Sequence, residues 1–333
     1  MSKKEVKNLE KKVSKYQQKY SKAKEEISKV FKGQEDVVES VILALLSNGH
    51  VLLEGIPGIG KTLLVRTLSK VSGADFSRIQ FTPDLLPTDI VGIETYEEGK
   101  GFYTVKGPVF SNFILGDEIN RSPPKVQSAL LEAMQERQVT IGKETFDLPS
   151  PFLVMATQNP LEQTGTYELP EAQLDRFLFK IIMTYPEFEQ ELNILESNTT
   201  LNDFESFGVE SIFEQDEILE SQQIVKHINV GDKMEKYMVR LVDASRNPEK
   251  YGVENHEYVD YGASPRASIG LFIASKAKAL MSGKTKVTPE EVRYVAKPVL
   301  RHRIVVNFEG EALGLDSDEI VDEIIDNVKI VNE

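Results

Sequence analysis

The stretch GIPGIGKT at residues 55–62 has the composition and spacing of a phosphate-binding loop. Gly55, Gly60, Lys61 and Thr62 satisfy the pattern G-x-x-x-x-G-K-[ST]. Glycines let backbone N–H groups approach phosphate oxygens that any Cβ would crowd, and a following helix N-terminus adds partial positive charge. We therefore expect Lys61 to contact the β- and γ-phosphates of a nucleoside triphosphate, and the Thr62 hydroxyl to ligate Mg²⁺.

Two adjacent carboxylates end the apolar run FILGDEIN at residues 113–120. At the carboxyl end of a strand, Asp117 can hold the water shell of Mg²⁺, and Glu118 can polarise an attacking water. Water as the nucleophile indicates hydrolysis rather than transfer to a substrate hydroxyl. An ordinary strand end with a polar turn would look the same, so this inference depends on the phosphate loop upstream.

Three further polar residues could complete the site. Asn159, in MATQNP, could orient the same water, although Asn-Pro is also common in turns. Arg176, just before an apolar run, would project a cation away from its own phosphate loop. Arg266 lies in the first turn of a helix that begins in SPRA, where a cation opposes the helix macrodipole, so we expect it to serve another anion. As isolated residues, both arginines could equally be inert surface groups.

These residues need a scaffold that brings strand ends together. Short apolar runs separated by helical stretches predict buried parallel strands in a three-layer α/β sheet. Ser122, followed by proline, predicts a capped helix start. Two hairpins with glycine turns, predicted at residues 94–105 and 138–148, interrupt the pattern as insertions. The predicted strands are residues 50–54, 113–117, 152–157 and 177–183.

Periodicity and composition divide the chain into four segments. The first is one predicted helix, because its apolar residues recur at spacings of three and four; this seam could pack on its own domain or on a neighbouring subunit. Capping signals at Ser264 and at Thr288 with Glu291 mark helices near the C-terminus, and no strand is expected after Pro186. The segments are an N-terminal helix at 1–30, an α/β nucleotide-binding core at 31–186, an acidic connection with short helices at 187–231, and an all-helical domain at 232–333.

Composition excludes several classes of protein. The 333 residues carry a net charge of −14, whereas a general binder of phosphate backbones would be basic. The absence of cysteine excludes disulfides and thiolate chemistry and is compatible with a cytoplasmic location. No apolar run approaches a membrane span, and the first residues lack the features of a secretory signal. The four histidines, His50, His227, His256 and His302, show no metal-ligand spacing, so we interpret them as structural or surface residues.

Taken together, these stretches resemble the MoxR family of AAA+ ATPases over nearly the whole chain. The most specific segments are DEINRSPPKVQSALLEAMQERQVTIG, MATQNP, LPEAQLDRF and GASPRA. The resemblance implies a P-loop core of three αβα layers with a parallel sheet, followed by an all-helical lid domain. It also implies a hexameric ring with ATP and Mg²⁺ between subunits. One departure is Gly116, where many relatives carry alanine.

The resemblance also implies roles for individual residues. Asp117 and Glu118 are similar to the Walker B pair, and Asn159 to sensor 1. Arg176 resembles the arginine finger that reaches the next subunit, and Arg266 resembles sensor 2, which contacts the γ-phosphate from the lid. The two hairpins match inserts that usually face the pore. The implied nucleotide contacts are the Walker A residues Gly55, Pro57, Gly58, Ile59, Gly60, Lys61 and Thr62, then Leu63, with Gly33 and Gln34 at the adenine.

The family remodels protein complexes, commonly with a separate protein that contains a von Willebrand factor A domain. Alternatives are a chelatase-type motor for metal insertion, a nucleic-acid motor of the related helicase branch, and a small-molecule phosphotransferase. The hairpins argue against the nucleic-acid motor. The first has Lys100 against Glu94, Glu97 and Glu98, and the second has no net positive charge, whereas a pore that tracks phosphates should be basic.

Overall fold

The computed structural model describes residues 3–99, 101–160, 165–198 and 204–330, which form two compact units. The sheet unit consists of the described residues of Lys22–Arg176 and Ile181–Leu219. The helical unit consists of those of Met1–Ser21, Phe177–Lys180 and Glu220–Glu333. Within these ranges, no helix combines the length and the apolar character needed to cross a membrane.

Helices and strands alternate through the first part of the chain, and helices dominate after residue 183. In order, the elements are α1 (Lys3–Val30), α2 (Glu35–Leu46), β1 (Val51–Gly55), α3 (Lys61–Val71), β2 (Phe76–Gln80), α4 (Pro87–Val91), β3 (Gly92–Glu97), β4 (Gly101–Lys106), β5 (Phe113–Asp117), α5 (Pro124–Glu136), β6 (Gln138–Ile141), β7 (Glu144–Asp147), β8 (Leu153–Gln158), α6 (Glu171–Leu174), β9 (Phe179–Met183), α7 (Phe188–Asn198), α8 (Gln215–His227), α9 (Asp232–Arg246), β10 (Val259–Tyr261), α10 (Pro265–Met281), α11 (Pro289–Leu300), β11 (Val305–Val306), α12 (Phe308–Ala312) and α13 (Ser317–Asn327).

The central sheet has the strand order β2-β5-β8-β1-β9. The pairs β2 with β5, β5 with β8, and β8 with β1 are all parallel. The middle strands are buried along nearly their whole length, which explains their continuous apolar sequences. The predicted parallel α/β sheet is confirmed, and the four predicted strands correspond to β1, β5, β8 and β9.

One edge of this sheet is β2, which has no counterpart among the strands predicted from the sequence. In its sequence FSRIQ only Ile79 is buried. Arg78 and Gln80 alternate with Ile79 and therefore share the opposite face of the strand. Such an edge strand has no continuous apolar run.

Both predicted hairpins are present as separate two-stranded ribbons. In the first, β3 pairs with β4, and the opposed rings of Tyr96 and Phe102 are 62% and 73% exposed. In the second, β6 pairs with β7 across a turn at Gly142, whose φ of 61° lies in the left-handed region that favours glycine. Lys100, which the charge argument for the first hairpin used, lies outside the described residues.

The predicted N-terminal helix is α1, and its apolar seam packs within the chain. The seam is buried from Leu9 to Val30, and Val6 alone among its residues is exposed. Within the helical unit, the Tyr16 hydroxyl donates to Glu220 Oε2 at 2.6 Å, and the Tyr20 and Ser221 hydroxyls are 2.8 Å apart. These contacts support the interpretation that the seam packs on its own domain.

The chain after Pro186 differs from expectation in one respect. The helices expected within residues 187–231 are present as α7 and α8; α8 has a buried face that includes Ile218 and Val225, whereas Phe188 and Leu195 on α7 are exposed. The expectation of no strands was wrong, since β10 and β11 pair in an antiparallel ribbon. Strands of three and two residues are too short to show alternation in the sequence.

Helix starts were predicted well with one exception. Ser264 caps α10, accepting from the Arg266 backbone N–H, and Thr288 forms a capping box with Glu291 at α11. The predicted cap at Ser122 was wrong, because α5 begins at Pro124. The Ser122 hydroxyl instead donates to the Ile119 carbonyl in the preceding 3-10 turn.

Candidate active site

The phosphate-type loop joins the carboxyl end of β1 to the first turn of α3. Gly58 and Gly60 have φ values of 85° and 89°, which side-chain-bearing residues rarely adopt. Gly55 has an ordinary φ, but a Cβ there would lie 2.8 Å from the Met183 carbonyl oxygen. Glycine is therefore needed at the three positions for two reasons, backbone conformation and close packing.

The lysine of the motif is folded across this loop. Lys61 is buried, and its Nζ donates to the Gly55 carbonyl at 2.6 Å. Thr62 and Leu63 follow in the first turn of α3, and both are half-buried. In the loop itself, Ile59 is half-buried, whereas Pro57 and Gly58 are exposed. The loop thus combines an ammonium group, a hydroxyl and an exposed glycine backbone at a helix N-terminus, which is the composition of an anion site.

The two acidic residues lie at the same edge of the sheet as the loop, because β8 separates β5 from β1 and all three run in parallel. Thr157, on β8, connects the acidic residues. Its hydroxyl donates to Asp117 Oδ1 at 2.7 Å and accepts from the Glu118 backbone N–H at 2.8 Å. Glu118 itself has φ 59° and ψ 51°, a left-handed conformation that starts a 3-10 turn.

Side chains from β2 contact the carboxylate oxygens of both acidic residues. Arg78 pairs with Asp117, with Nη2 at 2.5 Å and Nε at 3.2 Å from Oδ2. Gln80 Nε2 donates to Glu118 Oε2 at 2.9 Å, and Arg121 Nε approaches the same oxygen at 3.1 Å. Each carboxylate is therefore paired with an arginine, Asp117 with Arg78 and Glu118 with Arg121.

Asn159 directly follows β8 and is buried, which places it at the same sheet edge as the loop and the acidic pair. The departure at Gly116 also has a packing reason. A Cβ at Gly116 would lie 3.2 Å from the side chains of Phe81 and Leu130, tighter than most Cβ contacts. An alanine at this position would require the Phe81 or Leu130 side chain to shift by a few tenths of an ångström.

Gly33 and Gln34 precede α2, and both adopt left-handed conformations. Gln34 Nε2 donates to the Thr184 carbonyl at 3.0 Å. Its Oε1 is buried, and among the described residues it has no hydrogen-bond partner. Phe31 lies beside Gly60, since a Cβ built on Gly60 would be 3.2 Å from its ring. Residues 31–34 therefore lie close to the loop through Phe31.

The side chains of this region suit a magnesium nucleotide. An unpartnered Gln34 oxygen can accept from an exocyclic amino group such as that of adenine. A glycine cradle with Lys61 suits phosphates, and the oxygens of Thr62 and Asp117 are the ligand type that Mg²⁺ prefers.

The structure brings together the loop, the acidic pair and Asn159, but the two predicted arginines lie elsewhere in the chain. Arg176 follows α6 and is half-buried. Within the described part of the chain, its guanidinium makes no hydrogen bond or ion pair. Arg266 belongs to the helical unit, where it occupies the first turn of α10.

Two of the four histidines are buried and structural. In the sheet unit, His50 Nδ1 accepts from the Val154 backbone N–H at 3.0 Å, so its Nε2 carries the proton and donates to the Met134 carbonyl. Burial, with a smaller contribution from Arg137, lowers the pKa of His50 to about 3. In the helical unit, burial likewise holds the pKa of His302 well below its usual value. Both rings are neutral near pH 7.

Four residues at the site were missed by the sequence analysis: Arg78, Gln80, Arg121 and Thr157. Arg78 and Gln80 share one face of the unrecognised strand β2. The alternation of polar and apolar residues in FSRIQF was the signal that could have identified that strand. Thr157 lies inside the quoted motif MATQNP but was treated as part of the strand.

Comparisons with known proteins identify the family and the domains of this chain. Residues 50–179 match the ATPase family associated with various cellular activities (AAA), and residues 253–324 match the AAA lid domain. The crystal structure of a protein from Cytophaga hutchinsonii superposes with a TM-score of 0.91 at 47% identity, covering 98% of this chain and 99% of that one.

Curated relatives cover most of the chain. Chaperone MoxR1 of Mycobacterium tuberculosis is 49% identical over 91% of this chain and 78% of its own length. The uncharacterized protein YeaC of Bacillus subtilis is 44% identical over 93% and 94% of the two chains. Protein MoxR of Methylorubrum extorquens is 31% identical over 84% and 85%. With the phosphate loop, the acidic pair and Asn159 at one edge of a parallel sheet, these similarities show that the chain belongs to the MoxR family of AAA+ ATPases.

Proposed function

We propose that this chain hydrolyses ATP with Mg²⁺ at the interfaces of a hexameric ring and uses the energy to remodel protein complexes. One observation carries the hydrolytic part of the proposal. The phosphate-type loop after β1, the acidic pair at the end of β5 and Asn159 after β8 all lie at one edge of three adjacent parallel strands. Ligands of open α/β sheets bind at this edge.

Each residue at this edge has a role that its chemistry allows. The loop glycines and Lys61 bind the phosphates, Thr62 and Asp117 hold the magnesium ion directly and through water, and Gln34 accepts from the adenine amino group. Bound Mg²⁺ neutralises charge that develops on the phosphate oxygens. Glu118 accepts a proton from the attacking water, and Asn159 orients that water.

Two arginines act outside the loop in this proposal. Arg176 reaches the phosphate of the neighbouring subunit, and Arg266 contacts the γ-phosphate from a lid that comprises residues 232–333. A guanidinium that stabilises the developing charge in trans makes hydrolysis dependent on assembly. The support is the family resemblance and the lack of any partner for Arg176 in the described part of the chain.

The client is proposed to be a protein complex, engaged together with a separate protein that contains a von Willebrand factor A domain. The name Chaperone MoxR1 of the relative from Mycobacterium tuberculosis supports a chaperone-like activity. The first hairpin exposes Tyr96 and Phe102 beside Glu94 and Glu97, a surface for apolar protein segments rather than for phosphates. The chelatase and nucleic-acid alternatives gain no support from these residues.

The experiment that tests the hydrolytic proposal replaces Glu118. Glu118→Gln should retain ATP binding, measured by calorimetry, and lose release of inorganic phosphate. Glu132→Gln is the matched control, because Glu132 is exposed on α5. Preserved turnover in Glu118→Gln would remove Glu118 from its role as the base. A wild-type chain that binds no ATP would refute the proposal as a whole.

The same variant tests the proposed partner. Glu118→Gln with ATP should hold its complexes in the loaded state, so proteins that co-purify with it can be identified by mass spectrometry. The expected result is ATP-dependent retention of a protein with a von Willebrand factor A domain. Retention of nucleic acid, or no ATP-dependent protein, would contradict the proposed client class.

A further inference from the structure

Asp117 has a cationic partner from a strand that sequence patterns did not reveal. Arg78 reaches from β2 to Asp117 Oδ2, with Nη2 at 2.5 Å and Nε at 3.2 Å. The same Nη2 donates to Gln80 Oε1 at 2.7 Å, which fixes the guanidinium from a second side. The other oxygen of Asp117 accepts from Thr157 at 2.7 Å. Both carboxylate oxygens are therefore engaged by protein groups.

The two members of this ion pair differ in their exposure to water. The Asp117 side chain is 14% exposed, whereas that of Arg78 is 48% exposed. A carboxylate with so little solvation needs a cation beside it, because water cannot compensate its charge. The arginine, in contrast, remains well solvated and can leave its position without being buried elsewhere. Asp117 is therefore a fixed anion, and Arg78 is a cation that another cation can replace.

The negative charge of the proposed nucleotide site explains why Asp117 would need a cation both before and after metal binds. A nucleotide brings several negative charges to an edge that already holds Asp117 and Glu118. Glu118 has Arg121, at 3.1 Å from its Oε2, as a separate partner. Without a counter-ion, Asp117 would repel the phosphates until a metal arrived.

We propose that Arg78 is the built-in counter-ion of Asp117 in the metal-free site and that Mg²⁺ takes its place. Arg78 is then a positioning residue that sets how strongly metal and nucleotide favour each other's binding. The ion pair supports nucleotide binding without metal, and it competes with the metal for Asp117. This inference rests on the proposed magnesium-nucleotide site.

The test is the binding of ADP, which cannot be hydrolysed at a γ-phosphate, measured by calorimetry in EDTA and across a series of Mg²⁺ concentrations. In Arg78→Ala we expect ADP affinity in EDTA to fall about two- to fivefold, the range for a partly exposed ion pair. The Mg²⁺ concentration needed for half-maximal enhancement should also fall, by a similar factor. The enhancement of ADP binding by Mg²⁺ should therefore be larger than in wild type.

Two further variants sharpen the result. Arg78→Lys keeps the charge but loses the forked contact, so it should lie between wild type and Arg78→Ala. Lys70→Gln removes an equally exposed cation from the far end of α3, where Lys70 pairs with Glu205 at 3.1 Å, and it should match wild type. Because Arg78 lies half-exposed on an edge strand, both Arg78 variants should fold, which circular dichroism would confirm.

Three outcomes would overturn the inference. Unchanged ADP affinity in EDTA, together with an unchanged Mg²⁺ enhancement, in Arg78→Ala would make the ion pair purely structural. An equal loss of ADP affinity with and without Mg²⁺ would make Arg78 a phosphate ligand. A wild-type chain that binds no ADP under either condition would refute the proposed function as well, so the failure of Arg78 alone is distinguishable from failure of the site.

Discussion

The Thr157 hydroxyl donates a hydrogen bond to Asp117 Oδ1 across 2.7 Å. The same hydroxyl accepts from the backbone N–H of Glu118, 2.8 Å away. Thr157 is fully buried, so water cannot replace these bonds if the hydroxyl is removed. One side chain of β8 thus fixes both the direction of the Asp117 carboxylate and the left-handed backbone of Glu118.

We predict that Thr157→Val, which keeps the shape of the side chain and removes its hydroxyl, damages both stability and hydrolysis. The free energy of unfolding should fall by about 1–3 kcal/mol, the cost of leaving buried partners unsatisfied. ATP turnover should fall by about tenfold, because small displacements of a reacting group are costly and reach ~10²-fold for 1 Å. Urea unfolding and phosphate release measure the two effects.

Thr157→Ser provides the control for that prediction, since it keeps the hydroxyl and loses only a methyl group. It should retain most of the ATP turnover. Equal losses of turnover in the serine and valine variants would show that packing, rather than the hydroxyl, matters at this position.

Lys61 gives the second prediction. It is buried, with its Nζ 2.6 Å from the Gly55 carbonyl, and is therefore held over the loop. Lys61→Ala should weaken ATP binding about 10- to 100-fold, which corresponds to ~1.5–3 kcal/mol for a hydrogen bond to a charged group. Calorimetric titration with ATP measures this change. Lys70→Gln, at the other end of α3, controls for the loss of a positive charge, and unchanged affinity in Lys61→Ala would contradict the phosphate assignment.

Much of the sheet and loop could be predicted because their signals are local in sequence. Buried strands such as β5 must be apolar throughout, and the loop before Lys61 must contain glycine at positions fixed by φ and by packing. The capping box of Thr288 with Glu291 is similarly local, since donor and acceptor lie three residues apart. Each of these features is set by a few neighbouring residues.

What sequence reasoning missed depends on pairing between distant segments. Arg78 meets Asp117 only because β2 lies beside β5 in register. Thr157 meets Asp117 only because β8 lies on the other side of that strand. Neither contact can be inferred from the residues next to it in the sequence. In addition, β2 has too few buried residues to be recognised as a strand. The cap predicted at Ser122 failed for a local reason, because α5 begins two residues later, at Pro124.

The third prediction concerns the proposed role of Arg176 in trans. Arg176→Ala subunits retain their own Glu118, and Glu118→Gln subunits retain their own Arg176. Mixing the two inactive variants should restore part of the ATPase activity, because an interface can then combine an intact Glu118 with an intact arginine from its neighbour. Phosphate release across a series of mixing ratios measures this recovery.

The control for this experiment is a mixture in which no interface can be complete. Subunits with Glu118→Gln and Arg176→Ala in the same chain, mixed with either single variant, should show no recovery. Absence of recovery at every ratio in the test mixture would argue that Arg176 serves its own subunit or has no role in hydrolysis.

The last prediction concerns pH and the buried ring of His50. Burial, with a smaller contribution from Arg137, lowers the pKa of the ring to about 3 in the folded chain, where its Nδ1 accepts from the Val154 N–H. In the unfolded chain the pKa of histidine is about 6.5, so between these values the unfolded state binds the extra proton. The stability that comes from the neutral ring is therefore complete above pH 6.5 and is lost as the pH falls towards 3.

At pH 5 this loss should reach ~2 kcal/mol for His50, since each pH unit below 6.5 costs about 1.4 kcal/mol. His50→Gln cannot take up this proton, so its fall in unfolding free energy between pH 7 and pH 5 should be smaller than that of wild type by this amount. His227→Gln is the control, because the ring of His227 is exposed on α8 and should leave the wild-type difference intact. Urea titrations at the two pH values measure each difference. A fall in His50→Gln as steep as that of wild type would mean that the folded chain accommodates a charged ring at this position, contrary to its burial beside Arg137.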